Sequence, residues 1–156
     1  MKKNAVLLCI VLAGCIFQGD KISFEEIARG ESTYQGTHPL LFVAVSYEDI
    51  DDFMQYTGYQ NELATVDYGQ YVVVSAFLGV DPGLCDIEIH ELIREEGSII
   101  VLTTFFEPVE KPASTCFVSP FHIIKIPRSE IGIEGSVSFL LQDTKGFLHG
   151  TVVVEL

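Results

Sequence analysis

The side chains able to do chemistry are few in this chain, and they are scattered. Its four histidines, His38, His90, His122 and His149, show no i,i+4 spacing, so no two of them share a helix face as a helical zinc site requires. His90-Glu91 opens like a zincin motif, but Arg94 stands where the second histidine is needed and the segment alternates like a strand. Neither Gly30-Glu31-Ser32 nor Gly135-Ser136-Val137-Ser138 supplies a G-x-S-x-G elbow. Glu48, Asp49, Asp51 and Asp52 lack the central glycine and distal glutamate of a calcium loop and read as a solvated helix face. Glu88, Glu91, Glu95 and Glu96 would need to face one another across a cleft to act as an acid–base pair; on neighbouring strand positions they serve solubility and edge protection. No catalytic residue, metal site or cofactor is expected.

The four cysteines say more. Lys2 and Lys3 precede an apolar stretch over residues 5–12, too short to span a bilayer but suited to a secretory leader. It ends in Leu12-Ala13-Gly14-Cys15, which resembles the lipobox of bacterial lipoproteins. Residues 1–14 are therefore expected to be a signal peptide, Cys15 the acylated first mature residue, and residues 15–21 a lipidated tether. Palmitate-type chains at ~0.8 kcal/mol per methylene would hold the protein on a membrane without a transmembrane helix. The expected location is the bacterial cell envelope, outside the cytoplasm. Cys9 leaves with the leader, so Cys85 and Cys116 remain in a compartment that permits disulfides and are expected to pair. A zinc site is the rival reading, but it wants a C-x-x-C or a histidine pair nearby. Closing a loop of about 32 residues would stabilise the fold by roughly 3 to 4 kcal/mol.

Charge narrows the partners. The chain has 156 residues, with 9 Lys and Arg against 22 Asp and Glu, a formal charge of −13. A nucleic-acid footprint needs clustered positive charge, so no nucleic acid is expected, and anionic membrane surfaces are equally poor partners.

The elements that must position these residues read as mainly β: an antiparallel β-sandwich or curled barrel with one short α-helix near residues 47–56. A first strand with a possible bulge is expected over residues 22–28, a loop over 30–39 and a buried strand over 40–45. Ser46 is suited to cap the helix, with Tyr47, Ile50, Phe53 and Met54 on its inner face. Residues 71–78 form a continuous apolar strand covered on both faces and closed by Gly79. Strands over 85–94 and 98–106 flank a turn at 95–97. Pro120 interrupts a strand over 116–126 and argues for an edge or a bulge. Strands over 131–141 and 147–156 flank a turn at Asp143-Thr144-Lys145-Gly146. Residues 22–156 are expected to form a single β domain.

Several local features resemble the protease complex subunit PrcB family. Phe24-Glu25-Glu26-Ile27-Ala28-Arg29-Gly30 is similar to its opening strand, residues 47–54 to its helix, Val66-Asp67-Tyr68 with residues 71–79 to its central strand, and Ser119-Pro120-Phe121-His122-Ile123-Ile124-Lys125-Ile126-Pro127 to its closing strand. Where that family places a glycine-rich turn, this chain has Val80-Asp81-Pro82-Gly83-Leu84-Cys85, so no functional residue carries over.

Sequence alone thus favours a lipid-anchored envelope module that binds a protein, with the family resemblance implying a surface protease that it stabilises or modulates. The alternatives are an enzyme acting on envelope sugars or peptides through a carboxylate pair, and a binder of small ligands or cations on its acidic face. Loops at the pole joined by Cys85 and Cys116 are the expected contact surface, with Asp81, Pro82, Leu84, Pro108, Val109, Lys111 and Pro112 as candidates.

Overall fold

The computed structural model describes residues 19–107 and 118–156. They form a β-sandwich of two separate sheets. The strands are β1 (Asp20–Ile22), β2 (Glu25–Ser32), β3 (Leu40–Ala44), β4 (Tyr71–Phe77), β5 (Asp86–Glu95), β6 (Ser98–Phe106), β7 (Ser119–Pro127), β8 (Ser136–Asp143) and β9 (Leu148–Glu155). Five of them pair in the order β1-β5-β6-β8-β9 and four in the order β2-β7-β4-β3.

The apolar run of β4 explains this layering. Alternate side chains of a strand point to opposite faces, and here both sets are buried. Val72, Val74 and Ala76 join the core between the sheets, whereas Val73 and Phe77 face a second core. That second core is roofed by a 3-10 turn (Glu48–Ile50) running into α1 (Asp51–Met54), and by α2 (Gln60–Ala64). Ile50, Phe53 and Leu63 are its buried contributions. Phe77 stacks on Phe121 of β7 at 5.7 Å between ring centroids.

Several boundaries differ from those expected from sequence. The single helix near 47–56 is a 3-10 turn followed by one α-turn, and Tyr47 is 48% exposed instead of sharing the buried face. Ser46 does not cap through its side chain: Asp49 Oδ2 instead accepts from the Val45 N–H, the Ser46 N–H and the Ser46 hydroxyl at 2.8–2.9 Å, pulling the start of the helix into a tighter turn. The expected first strand is split, because β1 pairs with β5 in one sheet and β2 with β7 in the other. The expected bulge is present, where the β2 register shifts between Glu26 and Ala28. β2 also runs to Ser32, into the expected loop. Ile131 belongs to α3 (Arg128–Ile131), ended by Gly132 in the left-handed region, so β8 begins only at Ser136. β6 and β8 run parallel, a mixed element in an otherwise antiparallel fold.

Pro120 lies on neither an edge nor a bulge, since β7 is central between β2 and β4. The strand tolerates it because it sits at the second position, beyond the last β4 pair, Phe77 with Phe121. Its carbonyl still accepts from the Leu78 N–H at 2.9 Å, and the adjoining Gly79 N–H donates to Ser119 Oγ at 3.1 Å.

Two positions test the packing. Gly79 has φ +82, and a Cβ there would meet the Gly36 carbonyl oxygen at 2.7 Å; Gly79→Ala is expected to destabilise by about 1 to 3 kcal/mol. Ser75 is fully buried and its hydroxyl has no hydrogen-bond partner, so Ser75→Ala is expected to be neutral or to stabilise by up to about 1 kcal/mol. Urea unfolding of both variants is the check.

Candidate functional site

Turn chemistry builds the pole near Cys85. Asp81 Oδ1 accepts the Gly83 N–H at 2.7 Å, and the Asp81 carbonyl accepts the Leu84 N–H at 3.1 Å. These bonds fold residues 81–84 into a compact loop that leaves Pro82 exposed and Leu84 half-buried. The Cys85 N–H then donates to the Phe106 carbonyl at 2.8 Å, which sets Cys85 level with the end of β6, as the turn spacing implies.

Across the pole lies the β8–β9 hairpin. Asp143 Oδ1 accepts the N–H groups of Lys145 and Phe147, each at 2.9 Å, fixing the turn. The register shifts between Leu141 and Gln142, placing His149 on a bulge. Its Nε2 lies 3.0 Å from Asp143 Oδ2, and its ring meets Phe105 edge-on with centroids 5.0 Å apart. Burial alone would push the Asp143 carboxyl up. Hydrogen bonds from His149 and the two turn N–H groups, with the nearby imidazole charge, outweigh that and hold it below the ordinary carboxylate value.

Leu84, Phe105, Glu107, Asp143, Lys145 and His149 line a notch of about 240 Å³ between these segments. That is smaller than the ~300 to 1,000 Å³ typical of small-molecule sites and closer to the size of one or two side chains. An apolar wall of Leu84 and Phe105 beside Lys145 and the two acids Glu107 and Asp143 suits a projecting side chain of a protein partner.

Of the residues expected at this pole, Leu84 lines the notch, whereas Asp81 is committed to its own turn and Pro82 sits on the loop surface. Pro108, Val109, Lys111, Pro112 and Cys116 lie outside the described residues, as does Cys15. Cys85 is engaged and not free. His149 and Asp143 were not legible as a pair, because a bulged hairpin brings together residues six apart that no helical spacing rule connects.

A second polar group lies between the sheets. His122 points from β7 into the inter-sheet core and is 1% exposed. Its Nδ1 accepts the Ile89 N–H of β5 at 2.9 Å, so its Nε2 carries the proton and donates to Glu26 Oε2 of β2 at 2.9 Å. Arg29 bridges Glu26 and Glu88 at 3.4 and 3.0 Å. Burial lowers the His122 pKa, with the Arg29 charge adding to it and the nearby carboxylates opposing. Of the strand glutamates, Glu88 pairs with Arg29 and Glu91 with Lys21, so the two are drawn to separate cations. Among the described residues no three metal-binding side chains converge.

No protein-family model, curated protein or solved structure matches this chain.

Two measurements follow from these geometries. Above the ordinary histidine pKa of about 6.5, His122 is neutral in both folded and unfolded chains. As the pH falls below that value the unfolded chain takes up a proton that the native site resists, so stability declines between about pH 7 and pH 5.5. The urea midpoint is expected to show this decline in the native chain and to lose this component in His122→Gln. Asp143→Ala frees the two turn N–H groups and is expected to cost about 1 to 3 kcal/mol in the same assay.

Proposed function

We propose that this protein is a lipid-anchored module of the bacterial envelope that binds another protein through the pole formed by residues 81–85 and the β8–β9 hairpin. The observation that carries the reading is the notch beside Leu84. It is rigid, because turn hydrogen bonds fix both walls, and it is too small for most metabolites while fitting a protein side chain. The Asp143 carboxylate, which could otherwise serve in catalysis, has its oxygens engaged by the turn and by His149. Those bonds commit the carboxylate to holding the hairpin wall of the notch in shape.

The anchor is Cys15, on the strength of Leu12-Ala13-Gly14-Cys15 after a basic, apolar leader. The pole is braced by a disulfide between Cys85 and Cys116, a pairing supported by the bonded state of the Cys85 sulfur and by the oxidising compartment. The resemblance to the PrcB family makes a surface protease the expected partner, which the module stabilises or modulates.

Metabolic labelling with a fatty acid is expected to mark the native chain and to leave Cys15→Ala unlabelled. Pull-down from solubilised membranes is expected to recover one stoichiometric protein, and Leu84→Asp with Lys145→Glu to reduce that recovery at least tenfold while the fold is kept. Unchanged recovery moves the site away from the pole. Turnover of an envelope sugar or peptide by the purified chain would replace the binding reading with an enzymatic one.

A further inference from the structure

The outer face of the five-stranded sheet has a composition that neither the pole nor the core accounts for. Ile93 pairs with Ile100 and Ile100 with Leu140, making an apolar row across β5, β6 and β8. Leu148 on β9 continues it into a groove of about 450 Å³ with mostly apolar walls. At the open edge Leu148 is 60% and Val153 59% exposed, although both are large apolar side chains. The four-stranded sheet is different, since Ile50, Phe53 and Leu63 roof its outer face. Among the described residues no second buried cluster forms over the five-stranded sheet.

The chain itself indicates what lies there. Gly19 packs against this face, so closely that a Cβ on it would collide with the Ile93 side chain. The strand it leads into is pinned by Arg94 to Asp20 at 2.8 Å and by Lys21 to Glu91. Only residues 16–18 separate Gly19 from Cys15. Fully extended, that leash reaches at most about 14 Å. The sheet is about 19 Å wide at the usual strand spacing, so a lipid on Cys15 holds its apolar face within one sheet width of the bilayer.

We infer that the outer face of the five-stranded sheet is the membrane-apposed face of the anchored protein, with Leu140, Leu148 and Val153 seated at the lipid headgroup level. The inference rests on the proposed acylation of Cys15. Glu95 lines the groove beside Ile93, Glu155 lies at the end of β9 opposite Ser136, and the chain carries −13 overall. The surface it fits is therefore one of neutral, zwitterionic headgroups, and anionic lipid opposes it. Seated this way, the helix layer stays in water and the pole opens sideways to a protein partner.

The chain contains no tryptophan, so single Trp probes report depth without background. The mature lipidated protein carrying Leu148→Trp, Val153→Trp, Ile93→Trp or, on the helix layer, Tyr47→Trp is reconstituted on phosphatidylcholine vesicles brominated near the headgroup. Leu148→Trp and Val153→Trp occupy exposed positions and report independently of one another. Both are expected to be quenched at least threefold more than Tyr47→Trp, with the difference shrinking when a third of the lipid is anionic. Protein that floats with the vesicles while Leu148→Trp and Val153→Trp stay unquenched overturns the inference alone, leaving that face to a protein partner. Quenching of Ile93→Trp only means the domain stands on its β1 edge, and also overturns it. Protein that fails to float overturns the anchor, and the inference with it.

Discussion

Double burial of β4 and β7 is the constraint on which the rest of the molecule depends. Both strands place one set of alternate side chains in the core between the sheets and the other beneath the helix layer. A strand buried on both faces has little tolerance for an unpaired polar group. His122 is nevertheless there, and it is accommodated because it reaches across to the other sheet to accept a backbone N–H from β5 and donates, within its own sheet, to Glu26 of the neighbouring β2. Bulges in β2 beside Glu26 and in β5 beside Ile89 flank those contacts. The irregularities of these two strands, one beside β7 and one across from it, thus accompany the polar group of the central strand.

The consequences run outward. With the four-stranded sheet enclosed, variation is left to the poles and to the outer face of the five-stranded sheet. At one pole, carboxylates fold the backbone: Asp81 and Asp143 each close a turn through Oδ1. At the other, the chain enters beside Ile93 and the turn formed by Glu96 and Gly97. A binding notch and an anchor at opposite ends of β5 can act without competing for the same residues.

How much of this was legible in sequence depended on the range of the interaction involved. The 71–78 run declared its two-sided burial in eight consecutive residues, and the turns at Gly97 and Gly146 declared themselves through local chemistry. The helices did not, because α2 and α3 are single turns with one buried apolar residue each, Leu63 and Ile131, too short for a period to show. The parallel pairing of β6 with β8 was hidden because the chain crosses to the other sheet as β7 between them. Pro120 misled for a related reason: it argues against a central strand only where a ladder partner needs its missing N–H, and β4 pairing stops one residue earlier. At the site, Leu84 was found through its loop, while Asp143 and His149 meet through a bulge that leaves no signature in spacing.

Native-state hydrogen exchange on the Ile89 amide tests this account most directly. That N–H sits at a bulge, where a β5 amide would exchange freely if the two sheets opened independently. The account predicts that it exchanges only through global unfolding, with the same free energy as the amides of Val74 and Ile124, because His122 ties the sheets into one cooperative unit. Exchange at Ile89 with the low protection of an edge or loop amide, while β4 and β7 stay protected, would contradict it.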